Sequence, residues 1–591
     1  MRTQVLGSKL IVLAATAVMS VAALVPDAAA HAPATETAAR YIVQARTLSA
    51  ANQDVASVGA RAEQNLAIIH AVSVRLNPWQ VARLRQTAGV HVFADRSLKT
   101  DTLLGLLSPV TSPVVKITSS LQTPQDGQGM LLPSLLYQTN YPALVGADSL
   151  QQAGITGKGV TIAVLDSGLW QDASQNYGSR LLASIDVLNG GSGPVKADPY
   201  GHGTHVTSIA AGGAMNLAGS YLSIAPKSNL VVVRAFDGTG AGRYADVIAG
   251  LNWIVANRTK YKIRVLNLSF GATPQSNYWD DPLAQAVMAA WRAGIVVVTA
   301  AGNEGPAAMT IDVPGNVPYV ITTGALTDNN TPYTVSDDRL ASFSSTGPTY
   351  EGFVKPELVA PGGHIVASMP SSSYLANIDR GSMLLTEQMF TMSGTSMAAA
   401  VTTGVVALML QSDPTLTPDT VKCRLLASSR PAVTSSGKLA YSVFQQGAGL
   451  INAVSAVNSA ATGCANLGLD INADLAGTAH FGGPANQNDA GNYYIMNMAG
   501  STWGAPQVGD GYTWSQGYAW NQGYNWSAGY LWSQGYSWSK GYSWAKGYSW
   551  AKGYSWAKGY SWAKSVPWWG STGSSAVSTT PASIENWVPN Q

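Results

Sequence analysis

Charge is scarce in this chain. Asp, Glu, Lys and Arg make up 11% of its 591 residues, against about 25% in an ordinary soluble domain. Thirty-four cations against 32 anions leave a formal net charge of +2. That balance gives no whole-protein attraction to phosphate backbones, so specific nucleic-acid binding is not expected. Cysteine is scarcer: Cys423 and Cys464 are the only two. They leave room for one bridge in an oxidising compartment or for two buried thiols, the bridge stabilising by at most about 4 kcal/mol. After residue 25 no stretch is read as long and apolar enough to span a membrane.

What is present begins with an export pattern. Arg2 and Lys9 precede an apolar run from Leu10 to Val25, followed by Ala28-Ala29-Ala30. This reads as a secretory signal peptide over 1–30, removed near Ala30, with an uncleaved anchor as the alternative. The remaining length allows two or three domains, and 46% hydrophobic residues supply a large core.

Residues 31–95 read as a small α+β unit. Tyr41 to Val43 suggests a strand, Ala50 to Leu66 a mostly polar helix and Ala67 to Leu76 a longer strand. A helix opens at Asn77-Pro78-Trp79, and Val90 to Phe93 closes the unit as a strand. Residues 96–140 carry scattered Ser, Pro, Gln and Gly without periodicity, as expected of a protease-sensitive linker. From Gly146 onwards strand-like and helix-like runs alternate. Val160 to Leu165, Leu230 to Arg234, Arg264 to Ser269 and Ile295 to Ala300 read as strands, and Tyr244 to Asn257 and Pro282 to Ala293 as helices. The fold class is therefore α/β: a doubly wound, mainly parallel sheet with helices on both faces, whose sites lie beyond the carboxyl ends of the strands.

Four polar motifs fall at such places. Asp166 directly follows the first strand in Leu165-Asp166-Ser167-Gly168; alone this is a common turn, but a shielded carboxylate there suits the orientation of an imidazole. His202, in Gly201-His202-Gly203-Thr204-His205, stands at a glycine-flanked helix start and has the right intrinsic pKa for a base. His205 reads as a core histidine, and no glutamate between the two completes a zinc-protease motif. Asn303, in Ala301-Gly302-Asn303-Glu304-Gly305, is either an oxyanion donor or a left-handed turn residue. Ser396, in Gly394-Thr395-Ser396-Met397-Ala398, leads into the apolar run Ala398 to Gln411, where a helix N-terminus favours negative charge.

These motifs in the order Asp, His, Ser resemble the subtilisin-like serine peptidases, the subtilase family. Secondary matches are Leu268-Ser269-Phe270-Gly271 and Lys355-Pro356-Glu357-Leu358-Val359-Ala360-Pro361-Gly362. The resemblance covers about Tyr141 to Ala461, and more loosely Arg40 to Asp95, which is similar to the family's inhibitory pro-domain. It implies a secreted zymogen of a serine endopeptidase of broad specificity acting on protein or peptide substrates. In it Ser396 attacks, His202 is base and acid, Asp166 orients His202, and Asn303 completes the oxyanion hole. Ser269, Phe270 and Gly271 on one side, and Gly238, Thr239 and Gly240 on the other, match the edges that pair with an extended substrate. No cofactor is required for the chemistry; structural calcium is compatible with the family, although no ligand set can be matched. Two departures stand out: Ala400 where the family usually has proline, and an insertion at Ser371 to Glu387 near the site. The rival reading is a catalytically silent subtilase fold that binds surfaces. A lipase or esterase is disfavoured because the α/β-hydrolase order places serine first.

The expected catalytic domain spans 141–464 and a linker 465–510. Nine copies of a Gly-Tyr-x-Trp hexamer then fill 511–564, ahead of a tail at 565–591. If extended, the repeat puts Tyr, Trp and Lys or Gln on one face and Gly, Ser and Ala on the other. It holds five lysines, Lys540, Lys546, Lys552, Lys558 and Lys564, and no acid. Three readings stay open: a tail stacking on polysaccharide or cell surface, a β-rich assembly module, and a disordered low-complexity tail with sticky aromatics or a segment trimmed on maturation. Deleting Gly511 to Lys564 is expected to spare hydrolysis of a short soluble peptide while weakening retention on cell-wall or polysaccharide particles in a pull-down. Unchanged retention would remove the first reading.

Overall fold

Two layers of helix enclose one sheet, and the order of its strands decides where polar residues collect. The computed structural model describes residues 38–100 and 140–495, apart from 192, 195–196, 217, 329–336, 381–387, 435–438, 484 and 488–492, and further on only 530–531 and 586–587. The signal peptide, most of the 96–140 linker and nearly all of the repeat and tail lie outside the described residues.

The N-terminal unit contains β1 (Ala39–Gln44), α1 (Leu48–Ser57), β2 (Ala62–Leu66), β3 (Ala71–Leu76), α2 (Pro78–Arg85) and β4 (His91–Ala94). Its four strands form a sheet in the order β2-β3-β1-β4. Ala51 and Val55 of α1 and Val81 and Leu84 of α2 cover Val43, Val72 and Val74. Asn77 and Gln80 cap α2 reciprocally, with Pro78 in its first turn. The helix expected from Ala50 to Leu66 is a correction: it stops at Ser57, and the chain returns as β2. Gly59 adopts φ 72 just beyond the helix, a left-handed stop that a count of polar residues does not register. Ser97–Thr100, expected in the linker, is strand β5. It has no hydrophobic run of its own; its pairing partners are supplied by residues distant in sequence.

The larger unit begins with α3 (Tyr141–Leu144) and α4 (Ala147–Gln152). Next come β6 (Thr161–Asp166), β7 (Leu181–Asp186), α5 (His202–Ala211), β8 (Asn229–Arg234), β9 (Ala241–Arg243), α6 (Tyr244–Tyr261), β10 (Ile263–Leu268) and β11 (Phe270–Gly271). They are followed by α7 (Pro282–Arg292), β12 (Val296–Ala300), β13 (Ile321–Thr327), β14 (Arg339–Leu340), β15 (Leu358–Pro361) and β16 (Ile365–Ser368). Then come α8 (Tyr374–Ile378), β17 (Met389–Met392), α9 (Thr395–Ser412) and α10 (Pro418–Ser428). The eight-stranded sheet runs β14-β13-β12-β10-β6-β8-β7, with β15 also on β13. Every neighbouring pair is parallel except β13 with β14. From β6 the chain builds one way through β8 and the other way through β10, so the end of β6 is a topological switch point.

Helix α9 is buried from Thr395 to Leu410. It is the single helix among the described residues with the length and apolarity to cross a membrane, and here it is a core helix. Gly404 lets it approach closely: a Cβ there would lie 2.4 Å from Ile224 Cβ. The two cysteines, for which bridge and thiols were equally open, are bonded as Cys423–Cys464. Residues beyond Cys464, read in the sequence as a linker, carry a short helix at Ile471–Leu475. Its buried Asp474 accepts from the hydroxyls of Tyr278 at 2.8 Å and Tyr319 at 2.7 Å. Those acceptor bonds, spread over distant partners, tie the segment to the sheet without any apolar periodicity.

The Lys355-Pro356-Glu357 motif forms a buried ion cluster beneath β13. Lys355 Nζ lies 2.7 Å and Lys422 Nζ 2.9 Å from Glu357 Oε1. Burial pushes Lys355 down to about 7, opposed by the Glu357 charge and reinforced by Lys422. Glu357 also accepts from the Thr322 N–H at 2.8 Å. Glu357→Ala is expected to lower unfolding free energy by about 3–5 kcal/mol, because it strands two buried ammonium groups. Urea denaturation measures this; a loss below about 1 kcal/mol would show that the cluster is not a structural keystone.

Candidate active site

The site assembles where β6, β10 and β12 end and where α5 and α9 begin. Asp166 is the last residue of β6 and is fully buried. Its carboxylate oxygens lie 2.8 Å and 3.0 Å from His202 Nδ1. His202 opens α5 behind Gly201, whose φ of 104 requires glycine. Among the described residues its outer nitrogen, Nε2, is buried without a hydrogen-bond partner.

A second carboxylate holds this helix start. Asp198 accepts from the Gly201 N–H at 2.8 Å, the Ser167 hydroxyl at 2.9 Å and the Thr204 N–H and hydroxyl at 2.7 Å and 2.8 Å. Ser167 in turn accepts from the Gly203 N–H at 2.9 Å. Asp198 thus fixes the turn that aims His202, a role the sequence did not disclose. Asp198-Pro199-Tyr200-Gly201 has the composition of an ordinary turn.

Ser396 lies in the first turn of α9, behind Gly394. Its hydroxyl donates to the Ser269 carbonyl at 3.1 Å, and the Ser269 hydroxyl donates to the Ser396 carbonyl at 3.0 Å. Asn303 follows β12. Its Oδ1 accepts from the Thr395 N–H at 3.0 Å and lies 3.1 Å from the Thr395 hydroxyl. That use of Oδ1 fixes the amide orientation and leaves Nδ2 as the donor, buried and without a partner among the described residues. Helix α9 continues unbroken through Ala400, the position where proline was expected.

The groove beside the serine is occupied by the chain itself. Strand β5 is the middle member of an antiparallel sheet, β11-β5-β9. Phe270 pairs with Thr100 and Gly271 with Lys99 on one side. Ala241 pairs with Lys99, Gly242 with Leu98 and Arg243 with Ser97 on the other. The Thr100 N–H donates to the Gly240 carbonyl at 3.2 Å. Of the residues expected at the two edges, Phe270 and Gly271 pair with β5 and the Gly240 carbonyl accepts from Thr100, while the Thr239 N–H donates to Asp237 Oδ1 at 2.8 Å. Among the described residues no cluster of three His, Cys, Asp or Glu forms a metal site, and the resemblance's structural calcium has no such side-chain cluster there.

A serine at a helix start, an imidazole held by a buried carboxylate and an amide donor without a partner among the described residues lie near the switch point of a doubly wound sheet, the arrangement of parts expected of a serine peptidase on an α/β fold. Known proteins agree. Residues 157–449 match the Subtilase family. Serine protease AprX of Bacillus subtilis is 41% identical over 276 residues, covering 45% of this chain and 60% of that protein. Subtilisin DY of Bacillus licheniformis is 30% identical over 311 residues, covering 52% of this chain and 94% of that protein. The fold also resembles fervidolysin from Fervidobacterium pennivorans, a keratinolytic enzyme related to subtilisin. The TM-score is 0.53 at 20% identity, over 72% of this chain and 62% of that one. The chain belongs to the subtilase family.

His205 behaves as a core residue, with Nε2 donating to the Phe390 carbonyl at 2.9 Å. Burial drives its pKa down to about 3. The folded value lies below the ordinary one, so between about pH 6.5 and 3 the unfolded chain binds the extra proton and folding loses up to about 1.4 kcal/mol per pH unit. Above that window the term vanishes. His205→Gln is therefore expected to flatten the fall of stability with acidification, measured as denaturation midpoints from pH 7 to 4. An unchanged slope would refute the assignment.

Proposed function

We propose that the protein is a secreted serine endopeptidase made as a self-inhibited precursor. The observation that carries this reading is β5, a peptide strand seated between two edges. Its last residue pairs with Phe270, one step from the carbonyl that holds the Ser396 hydroxyl. A substrate would lie as β5 does, recognised through main-chain hydrogen bonds and hence with broad tolerance of sequence.

In the first half-reaction the Ser396 oxygen attacks the peptide carbonyl, and His202 Nε2 takes its proton. The Nδ1–H of His202 stays hydrogen-bonded to Asp166, whose charge stabilises the imidazolium. The oxyanion receives hydrogen bonds from Asn303 Nδ2 and the Ser396 backbone N–H. The corresponding asparagine of a subtilisin is worth about 10²–10³ in kcat, a value carried over from that enzyme. His202 then returns the proton to the leaving amine, and water repeats the sequence on the acyl-serine to free the acid and restore the hydroxyl. An imidazole nitrogen and an amide donor, both buried and without partners among the described residues, support this reading over a silent scaffold. A binding fold gains nothing from leaving two buried polar atoms unsatisfied.

The N-terminal unit acts as the inhibitor. It docks across the starts of α6 and α7. Arg40 Nη2 lies 3.0 Å from Asp246 Oδ1, Asp95 accepts from the Ala245 N–H at 2.9 Å, and Arg96 stacks over Tyr244 at 4.9 Å. Asp95 thereby occupies the positive end of the α6 dipole.

β5 runs antiparallel to β11 and its last residue, Thr100, pairs with Phe270, the neighbour of Ser269. Self-processing should therefore cut within one or two residues past Thr100. Intact mass and N-terminal sequencing of the secreted protein are expected to reveal that end. Ser396→Ala should abolish hydrolysis of casein and retain the N-terminal unit covalently attached. A processed Ser396→Ala protein would show that another protease makes the cut; an active one would overturn the mechanism.

A further inference from the structure

The strand in the groove reports on the pockets around it. Along β5 the side chains of Leu98 and Thr100 are buried at 1% and 5% exposure, while Ser97 and Lys99 face outwards. Thr100 is the inward position nearest the serine. Its hydroxyl is buried and, among the described residues, has no hydrogen-bond partner. A buried hydroxyl left without a partner is a cost for threonine that an apolar side chain would avoid.

Tyr200 packs on the edge residue that pairs with Thr100. A Cβ on Gly240 would lie 2.4 Å from Tyr200 Cζ, so the ring covers the residue whose carbonyl accepts from the Thr100 N–H. The same ring has its centroid 6.4 Å from that of His202. Tyr200 therefore spans the gap between the catalytic imidazole and the groove edge that holds residue 100. It is braced from outside by Tyr374 of α8, stacked at 5.9 Å and 23°. The Tyr374 N–H donates to the Pro199 carbonyl at 2.8 Å and the Leu375 N–H to the Tyr200 carbonyl at 3.2 Å, so the start of the insertion is fastened to the turn it supports.

We infer that Tyr200, backed by Tyr374, sets the size of the substrate side chain in the position that Thr100 occupies, admitting small or β-branched apolar residues and rejecting large ones. The inference rests on the endopeptidase reading and adds to it one position of selectivity. Main-chain pairing leaves the outward positions unselective, whereas a walled inward position discriminates through the volume it lacks.

The test uses quenched peptides of the chain's own sequence, Ser-Leu-Lys-X-Asp-Thr-Leu, with Val or Phe at X, and casein as an independent substrate. The mature enzyme is expected to favour Val over Phe by about 10-fold or more in kcat/KM. Tyr200→Ala should bring the ratio to within about threefold by raising the Phe rate, and Tyr374→Ala should move it the same way by less. A purely structural role for either tyrosine would lower both rates together and leave the ratio unchanged. Casein hydrolysis with equal rates on the two peptides, no cleavage of the Val peptide, or an unaltered ratio in Tyr200→Ala would each overturn the inference. Failure to hydrolyse casein as well would overturn the endopeptidase reading beneath it.

Discussion

Everything in this protein hangs on placing a hydroxyl at the start of a helix that has no polar face. Helix α9 is buried along almost its whole length, so it has no freedom to rotate or slide without opening voids or burying polar groups. Its register is fixed by packing, and with it the position of Ser396. A surface helix held by one apolar stripe would tolerate small rolls, and a misplacement of about 1 Å is enough to cost about 10²-fold in rate. The reciprocal bonds between Ser396 and Ser269 lock the same register at the helix start.

The scarcity of charge takes on meaning against that background. Many of the ionisable groups that matter are inside: Asp166 and Asp198 around the histidine, Glu357 between two lysines, and Asp246 and Asp95 facing Arg40. Buried charge is costly unless it is paired or hydrogen-bonded, and here each performs a definite orienting task. Asp198 shows this clearly. It never approaches Ser396 through any bond in its network, yet four donors from three elements of the loop and helix start converge on it.

The candidate site was legible in the sequence because its residues stand in short stretches at the ends of strands. Asp166, His202, Asn303 and Ser396 each stand next to the strand or helix that positions them, and four β-branched runs mark the sheet directly. What the sequence did not disclose depends on partners far away in the chain. Ser97–Thr100 has no strand pattern because its ladder is made by residues near 241 and 270. Asp474 sits in a stretch of Asn, Gly and Ala whose anchoring comes from two tyrosines about 150 to 200 positions earlier. The helix in the N-terminal unit was overextended because Gly59 acts through a single backbone angle rather than through composition.

On the precursor reading proposed above, the seating of β5 would let one groove serve both restraint and turnover. While the strand is joined to its own domain, the groove faces an effective concentration that free substrate rarely matches. On that reading restraint does not require β5 to be an optimal ligand, and the Thr100 hydroxyl, buried without a hydrogen-bond partner among the described residues, is not optimally placed. Once the chain is cut, the strand would compete on its intrinsic affinity and on the contacts of the N-terminal unit, Arg40–Asp246, Asp95–Ala245 and Gln44–Gln285 among them. A poor fit at the position nearest the serine weakens the cleaved inhibitor while costing the covalent precursor little, so the threonine favours release after cutting without forfeiting restraint before it.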